Sequence, residues 1–242
     1  MPSSSHRPRK RFGQHFLHDP RILEKIVDAL SLQESDFVVE IGPGEGALTR
    51  RLLERTPNVE TIEIDRDLAE ILIREKIKVH QADALEFDYG VFPRGMRIVG
   101  NLPYNISTPL LFHLARYAER VRDMHFMLQL EVVRRMVAKH STPDYGRLSV
   151  MLQVRFAMKK LFNVAPGAFR PPPKVESAVV RLEPLAQILH LDEDLLRRAF
   201  SARRKTLRNA LPGIDFAALG IDPGLRPENL SPQDYARLSG AI

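Results

Sequence analysis

Apolar residues recur along the first two thirds of the chain in two alternating rhythms. Ile22, Leu23, Ile26, Val27 and Leu30 are spaced three and four apart, as on one face of a helix. Asp19 followed by Pro20 supplies an N-cap with proline at the first helical position. Between stretches of that kind lie short strand-like runs at Phe37–Ile41, Val59–Ile64, Lys76–Gln81, Met96–Gly100 and Met124–Leu130. Phe37–Ile41 reads as a short buried strand and the others as further β units, and strands alternating with helices predict a parallel, doubly wound α/β sheet. Ligands of such a sheet bind at the carboxyl ends of its strands. Two further runs, Leu148–Met158 and Ser177–Leu182, have no helix between them and predict an antiparallel hairpin at one sheet edge. After Pro184 short amphipathic helices with Gly and Pro punctuation take over. The expected organisation is therefore a basic N-terminal arm over residues 1–18, an α/β domain over 19–184 and a small helical domain over 185–242.

Composition narrows the chemistry. The absence of cysteine among the 242 residues excludes disulfides, thiolate metal sites and the cysteine nucleophile by which pyrimidine carbons are methylated. With no secretory signal expected at the basic N-terminus, it predicts a cytoplasmic protein. No apolar run approaches the roughly 20 residues of a membrane span, so no membrane partner is expected. His15 and His18 have a possible ligand spacing but no matching second cluster, so no metal is expected. The net charge of +6 favours a polyanionic partner. Arg7, Arg9, Lys10 and Arg11 crowd the arm, and six of the twelve residues from Arg197 to Arg208 are basic with none acidic. A basic segment of that kind reads either as a solvated face or as a phosphate-binding ridge. The helical spacing of Arg197, Arg204 and Arg208 opposite Phe200, Leu207 and Leu211 favours the ridge.

Candidate chemistry sits at the ends of four successive strands. The turn Gly42-Pro43-Gly44-Glu45-Gly46 stands where a dinucleotide fingerprint would, with Glu63 about 20 residues on. Its spacing differs from that fingerprint, and Glu40 and Glu45 would repel a pyrophosphate while suiting a cationic ligand. S-adenosylmethionine meets these terms. Glu63 would accept from its ribose hydroxyls and Asp83 from its adenine amine; plain turn glycines are the other reading of the loop. Asn101-Leu102-Pro103-Tyr104 follows the fourth strand. The Asn101 side-chain oxygen and the Leu102 carbonyl would take the two N–H bonds of an exocyclic purine amine while Tyr104 stacks on the base. The same four residues also fit an ordinary strand-to-helix turn.

Several longer segments carry a resemblance: RKRFGQHFL (9–17), VEIGPGEGALT (39–49), IDRD (64–67), GNLPYNISTPLLF (100–112), YGRLSV (145–150), FRPPPKVESAVVR (169–181) and FSARRKTLRN (200–209). Over nearly its whole length the chain resembles the KsgA-type (RsmA) rRNA adenine dimethyltransferases. The resemblance implies a Rossmann-like class I methyltransferase sheet with a small C-terminal helical domain. It implies transfer of methyl groups from S-adenosylmethionine to the 6-amino groups of two adjacent adenosines near the 3′ end of small-subunit 16S rRNA, in a partly assembled subunit, by a monomer. It implies His15, Leu17, Gly42, Gly44, Glu63, Asp83 and Asn101 as the donor site. Position 15 is commonly Asn in such enzymes, and a histidine there would donate to the donor's carboxylate. It further implies Asn101, Leu102, Pro103 and Tyr104 at the reacting amine, with Tyr104 and Phe169 on either side of the flipped adenine. Arg9, Lys10, Arg11, Arg203, Arg204, Lys205 and Arg208 would contact RNA phosphates. Two other readings stand beside it: an assembly factor that keeps the pocket incidentally, and a DNA adenine methyltransferase.

Overall fold

The computed structural model describes residues 14–240. The candidate phosphate contacts Arg9, Lys10 and Arg11 lie outside them. Five strands, β2 (Val38–Ile41), β3 (Val59–Glu63), β4 (Lys78–Gln81), β5 (Met96–Asn101) and β6 (Val121–Gln129), pair in parallel in the order β4-β3-β2-β5-β6. β1 (Phe16–Leu17) precedes them. Helices α1 (Pro20–Leu30), α2 (Ala47–Leu53), α3 (Arg66–Arg74) and α4 (Ser107–Ala115) connect the strands. The chain steps outward from β2 to β4 and then returns to β5 on the other side of β2. The carboxyl ends of β2 and β5 therefore form the switch point where an open sheet binds its ligand.

α1 begins as its sequence requires. The Asp19 carboxylate accepts from the Arg21 and Ile22 N–H groups ahead of Pro20, and Leu23, Ile26, Val27 and Leu30 are buried. They pack with Val38, Val99, Met127 and Val179 from one face of the sheet. Each such side chain removed from water contributes roughly 1.5–3 kcal/mol. The same face carries a polar tie: Arg97 of β5 donates to both Asp123 oxygens at 2.9 and 2.7 Å, to Asp36 at 2.9 Å and to the Leu30 carbonyl at the end of α1.

At the far side, β7 (Phe156–Val164) is an edge strand, and β9 (Ser177–Pro184) lies between it and β6, antiparallel to β6. β8 (Phe169–Arg170), in the segment between β7 and β9, pairs with β1 in a separate two-stranded ladder. The expected strand from Leu148 is corrected. Residues Arg147–Gln153 form a helix, α6, and the strand starts only at Phe156. A continuous apolar run is compatible with either state, and here Leu148, Val150, Met151 and Leu152 are all buried in a helix opened by Gly146.

The chain divides into two compact units. Among the described residues, the first holds 14–130 together with Lys159–Glu183, and the second holds Glu131–Met158 with 184–240. The sequence reading leaves Glu131–Met158 in the α/β domain. The second unit instead gathers α5 (Leu130–Val137) and α6 with α7 (Glu193–Ser201), α8 (Leu207–Ala210) and α9 (Pro232–Ser239). Tyr145 donates to the Leu230 carbonyl at 2.9 Å, and Tyr235 stacks on Phe200. The single basic helix expected over Arg197–Arg208 is broken. α7 ends at Ser201, residues 202–206 turn, and α8 is four residues long.

Candidate active site

At the switch point the first unit opens a cleft of about 870 Å³, counting the space at its mouth. Its floor is the turn after β2. Gly42 and Gly44 have φ of 66° and 57°, and a Cβ on Gly44 would lie 2.9 Å from the Phe16 ring. Beside it Gly100 lets β5 approach β2, because a Cβ there would sit 2.6 Å from the Ile41 carbonyl oxygen. These two positions admit only glycine, and the turn thereby lies against the end of β5.

Glu63, at the end of β3, is buried and accepts from the Gly44 N–H at 3.1 Å and the Asp65 N–H at 2.9 Å. Burial raises its pKa above the usual carboxylate range, against the pull of those N–H groups. Asp83 follows β4; one of its oxygens caps the next turn through the Leu85 N–H at 2.9 Å. Both line the cleft, and no Lys or Arg among the described residues does. That set of acceptors fits a cationic, diol-bearing ligand and would repel a pyrophosphate. Glu40 stands one layer below. Burial, with the neighbouring Glu63 carboxylate, pushes its pKa up to about 8, so it holds a proton at neutral pH.

Asn101 closes β5. Its amide nitrogen donates to the His15 carbonyl at 2.8 Å, which turns its oxygen away from that partner. The Leu102 N–H donates to the Met127 carbonyl at 3.2 Å, and the Ile106 N–H to the Pro103 carbonyl at 3.2 Å, so the turn is held at both ends. Tyr104 lines the cleft, and its hydroxyl pairs with buried Ser177 of β9 at 2.8 Å. That strut gives the hydroxyl a structural role that stacking alone does not require.

Of the residues expected at the site, His15, Gly42, Gly44, Glu63, Asp83, Asn101, Leu102, Pro103 and Tyr104 line one cleft. Leu17 and Phe169 do not. Both are buried, facing each other across the β1–β8 ladder within the hydrophobic core. A sandwich of a base between Tyr104 and Phe169 therefore requires Phe169 to leave that packing. His15 lies beside Tyr104 with ring centroids 5.6 Å apart and planes 27° from parallel. Its Nδ1 donates to the Pro171 carbonyl at 2.7 Å. That bond occupies the Nδ1–H, so Nδ1 has none to offer a donor's carboxylate. Sequence reasoning missed Gln14, which lines the cleft and donates to Asp65 at 3.3 Å, and Ile64, which is 46% exposed beside Glu63. The available signal was adjacency: Ile64 directly follows Glu63, and Gln14 directly precedes His15.

In the second unit Arg203, Arg204, Lys205 and Arg208 are all exposed. Arg203 donates to the Pro143 carbonyl at 3.1 Å and lies 3.6 Å from Glu228. Arg204, Lys205 and Arg208 have no side-chain partner among the described residues. No described helix is long and apolar enough to cross a membrane.

The family model for ribosomal RNA adenine dimethylase matches residues 5–240. The chain is 58% identical to ribosomal RNA small subunit methyltransferase A of Thiobacillus denitrificans, over 98% of each chain. It is 56% identical to the protein of the same name in Aromatoleum aromaticum, over 99% of this chain and 96% of the other. Among solved structures it superposes on a dimethyladenosine transferase from Plasmodium falciparum with a TM-score of 0.81 at 30% identity, covering 93% of this chain and 96% of that one. The 23S rRNA methyltransferase ErmE gives 0.71 at 30% identity, over 93% and 98%.

Proposed function

Because the chain belongs to the ribosomal RNA adenine dimethylase family, we propose that its cleft dimethylates the 6-amino groups of two adjacent adenosines near the 3′ end of 16S rRNA with S-adenosylmethionine as donor, in the cytoplasm. The observation that carries this reading is the Asn101 amide. Its nitrogen is committed to the His15 carbonyl, which leaves its oxygen for an incoming amine, in the same cleft as Glu63 and Asp83.

S-adenosylmethionine, when bound, supplies an electrophilic methyl group on its sulfonium. The residues do the rest. Glu63 accepts from the ribose hydroxyls and Asp83 from the donor's adenine amine. Asn101 and the Leu102 carbonyl accept the two N–H bonds of the target amine. Holding both protons would turn the nitrogen lone pair out of conjugation with the purine and towards the methyl group; as the N–C bond forms the methyl–sulfur bond would break, a neutral thioether would leave, and the nitrogen would lose one proton to water. Tyr104 fixes the plane of the base. Monomethylated adenine has one N–H left, so the second transfer releases one of the two acceptors. Arg204, Lys205 and Arg208 of the second unit supply phosphate contacts that dock a partly assembled subunit without reading sequence. An assembly role without catalysis is disfavoured because the whole acidic and amide set is present.

Labelled S-adenosylmethionine offered with unmethylated small subunits, naked rRNA and DNA, followed by nucleoside analysis, tests this. Label in dimethyladenosine from the rRNA arms alone is expected, with monomethyladenosine at short times. Asn101→Ala is expected to lower transfer about 100-fold or more. Asn101→Asp is expected to do nearly as badly, since a carboxylate oxygen would then face the His15 carbonyl. Calorimetry should show Glu63→Ala and Asp83→Ala each weakening donor binding by about 1–3 kcal/mol. Label in DNA, or donor binding indifferent to both changes, overturns the assignment.

A further inference from the structure

His15 contacts three distant residues at once, Asn101, Pro171 and Tyr104. Its backbone carbonyl orients the Asn101 amide at 2.8 Å. Its Nδ1–H donates to the Pro171 carbonyl at 2.7 Å, and its ring lies on Tyr104. The strand β1, which starts at the next residue, is pinned along its length. Phe16 pairs with Arg170, Leu17 with Phe169, and the His18 N–H donates to the Ala168 carbonyl at 3.0 Å. The Pro171 end of that contact is a carbonyl and only accepts, so Nδ1 carries the proton whatever the charge of the ring. The imidazole bond continues this ladder to the proline turn.

We propose that His15 is a positioning residue for methyl transfer: the side-chain tether to Pro171 holds the His15 backbone where its carbonyl sets the Asn101 amide. This rests on the reading of Asn101 as the acceptor for the target amine. The tether acts on the orientation of that acceptor, so its loss slows transfer and leaves donor affinity in place.

Three substitutions separate tether from ring. Asparagine places an amide N–H where imidazole carries Nδ1 and has no ring to lie on Tyr104. Phenylalanine keeps a ring and lacks the donor. Alanine lacks both. Single-turnover transfer to unmethylated small subunits is measured alongside calorimetric S-adenosylmethionine binding and thermal unfolding, all on the full chain. His15→Ala and His15→Phe are expected to slow transfer tenfold or more, which is about 1.4 kcal/mol in the barrier. Both should bind the donor within twofold of the unsubstituted protein, and His15→Asn should stay within threefold in rate. Rescue by Asn but not Phe is the signature that a general loss of structure would not give.

Three outcomes overturn the proposal. His15→Asn as slow as His15→Ala would assign the effect to the ring. Donor affinity falling in step with rate would make the side chain a donor ligand. An unchanged rate in His15→Ala would leave the tether without a role in transfer. Failure of the unsubstituted protein to methylate the subunit would refute the functional reading itself, and is seen in the same assay before any variant is compared.

Discussion

Glu40 is held neutral by its surroundings, and this gives the free protein a pH dependence opposite to that of an ordinary carboxylate. Its pKa is about 8 in the fold and near 4.5 in the unfolded chain. Between those values the native state keeps a proton that the unfolded state has lost, so stability falls as pH rises. His125, in register with Val99 beside Glu40, is pushed down to about 4 by burial and acts in the opposite sense, but only below its unfolded value of 6.5. From pH 6.5 to 8 Glu40 therefore acts alone of the two. Urea titration is expected to show about 2 kcal/mol less stability at pH 8 than at 6.5, and Glu40→Gln is expected to abolish that difference. At this scale the sequence was informative where a residue's place follows from its own strand. Glu63 and Asn101 each end a strand and Asp83 follows one by two residues, and strand ends are what apolar runs mark best. The bond from His15 to Pro171 spans 156 positions, and no local pattern reports it. The burial of Phe169 depends likewise on the distant Leu17.

Among the elements, β5 has the most to hold. It pairs with β2 and β6, ends in Asn101 and carries Arg97, whose guanidinium bonds Asp123 of β6, Asp36 and the last turn of α1. Removing that cation would leave Asp123, which is 2% exposed, with Arg181 at 4.0 Å as its nearest remaining guanidinium, and leave Asp36 with Arg122. Arg97→Leu is expected to cost about 3–5 kcal/mol in denaturant unfolding, far more than Arg122→Leu at the 55% exposed end of the same network. The periodicity of α1 and the strand runs were legible because each element is amphipathic or buried in a way its own residues reveal. The helix at Arg147–Gln153 was not, since an apolar run buried on all sides has no period to read. Nor was the break after Ser201, because a basic stretch at helical spacing keeps that spacing on paper whether or not a turn interrupts it.

For the whole molecule, charge and sheet edges matter more than any single contact. Arg204, Lys205 and Arg208 are exposed with no side-chain partner among the described residues, whereas Arg203 is engaged with Pro143 and Glu228. Replacing those three by Glu is expected to leave S-adenosylmethionine affinity unchanged. It should weaken binding to small subunits and flatten the slope of log affinity against log salt by about 2–3 units. An unchanged slope would move the docking surface elsewhere. The sheet has a further consequence through its two outermost strands. β4 and β7 each have an edge with no neighbouring strand in the sheet, and each carries exposed lysine there: Lys78 on one, Lys159 and Lys160 on the other. Charge on an unpaired edge makes it a poor template for a strand from another molecule, because pairing would bury like charges against each other. The protein is thus protected from edge-to-edge aggregation at the places where its backbone would invite it. Lys159→Thr with Lys160→Val is expected to leave methyl transfer intact while lowering the concentration at which light scattering first detects assemblies.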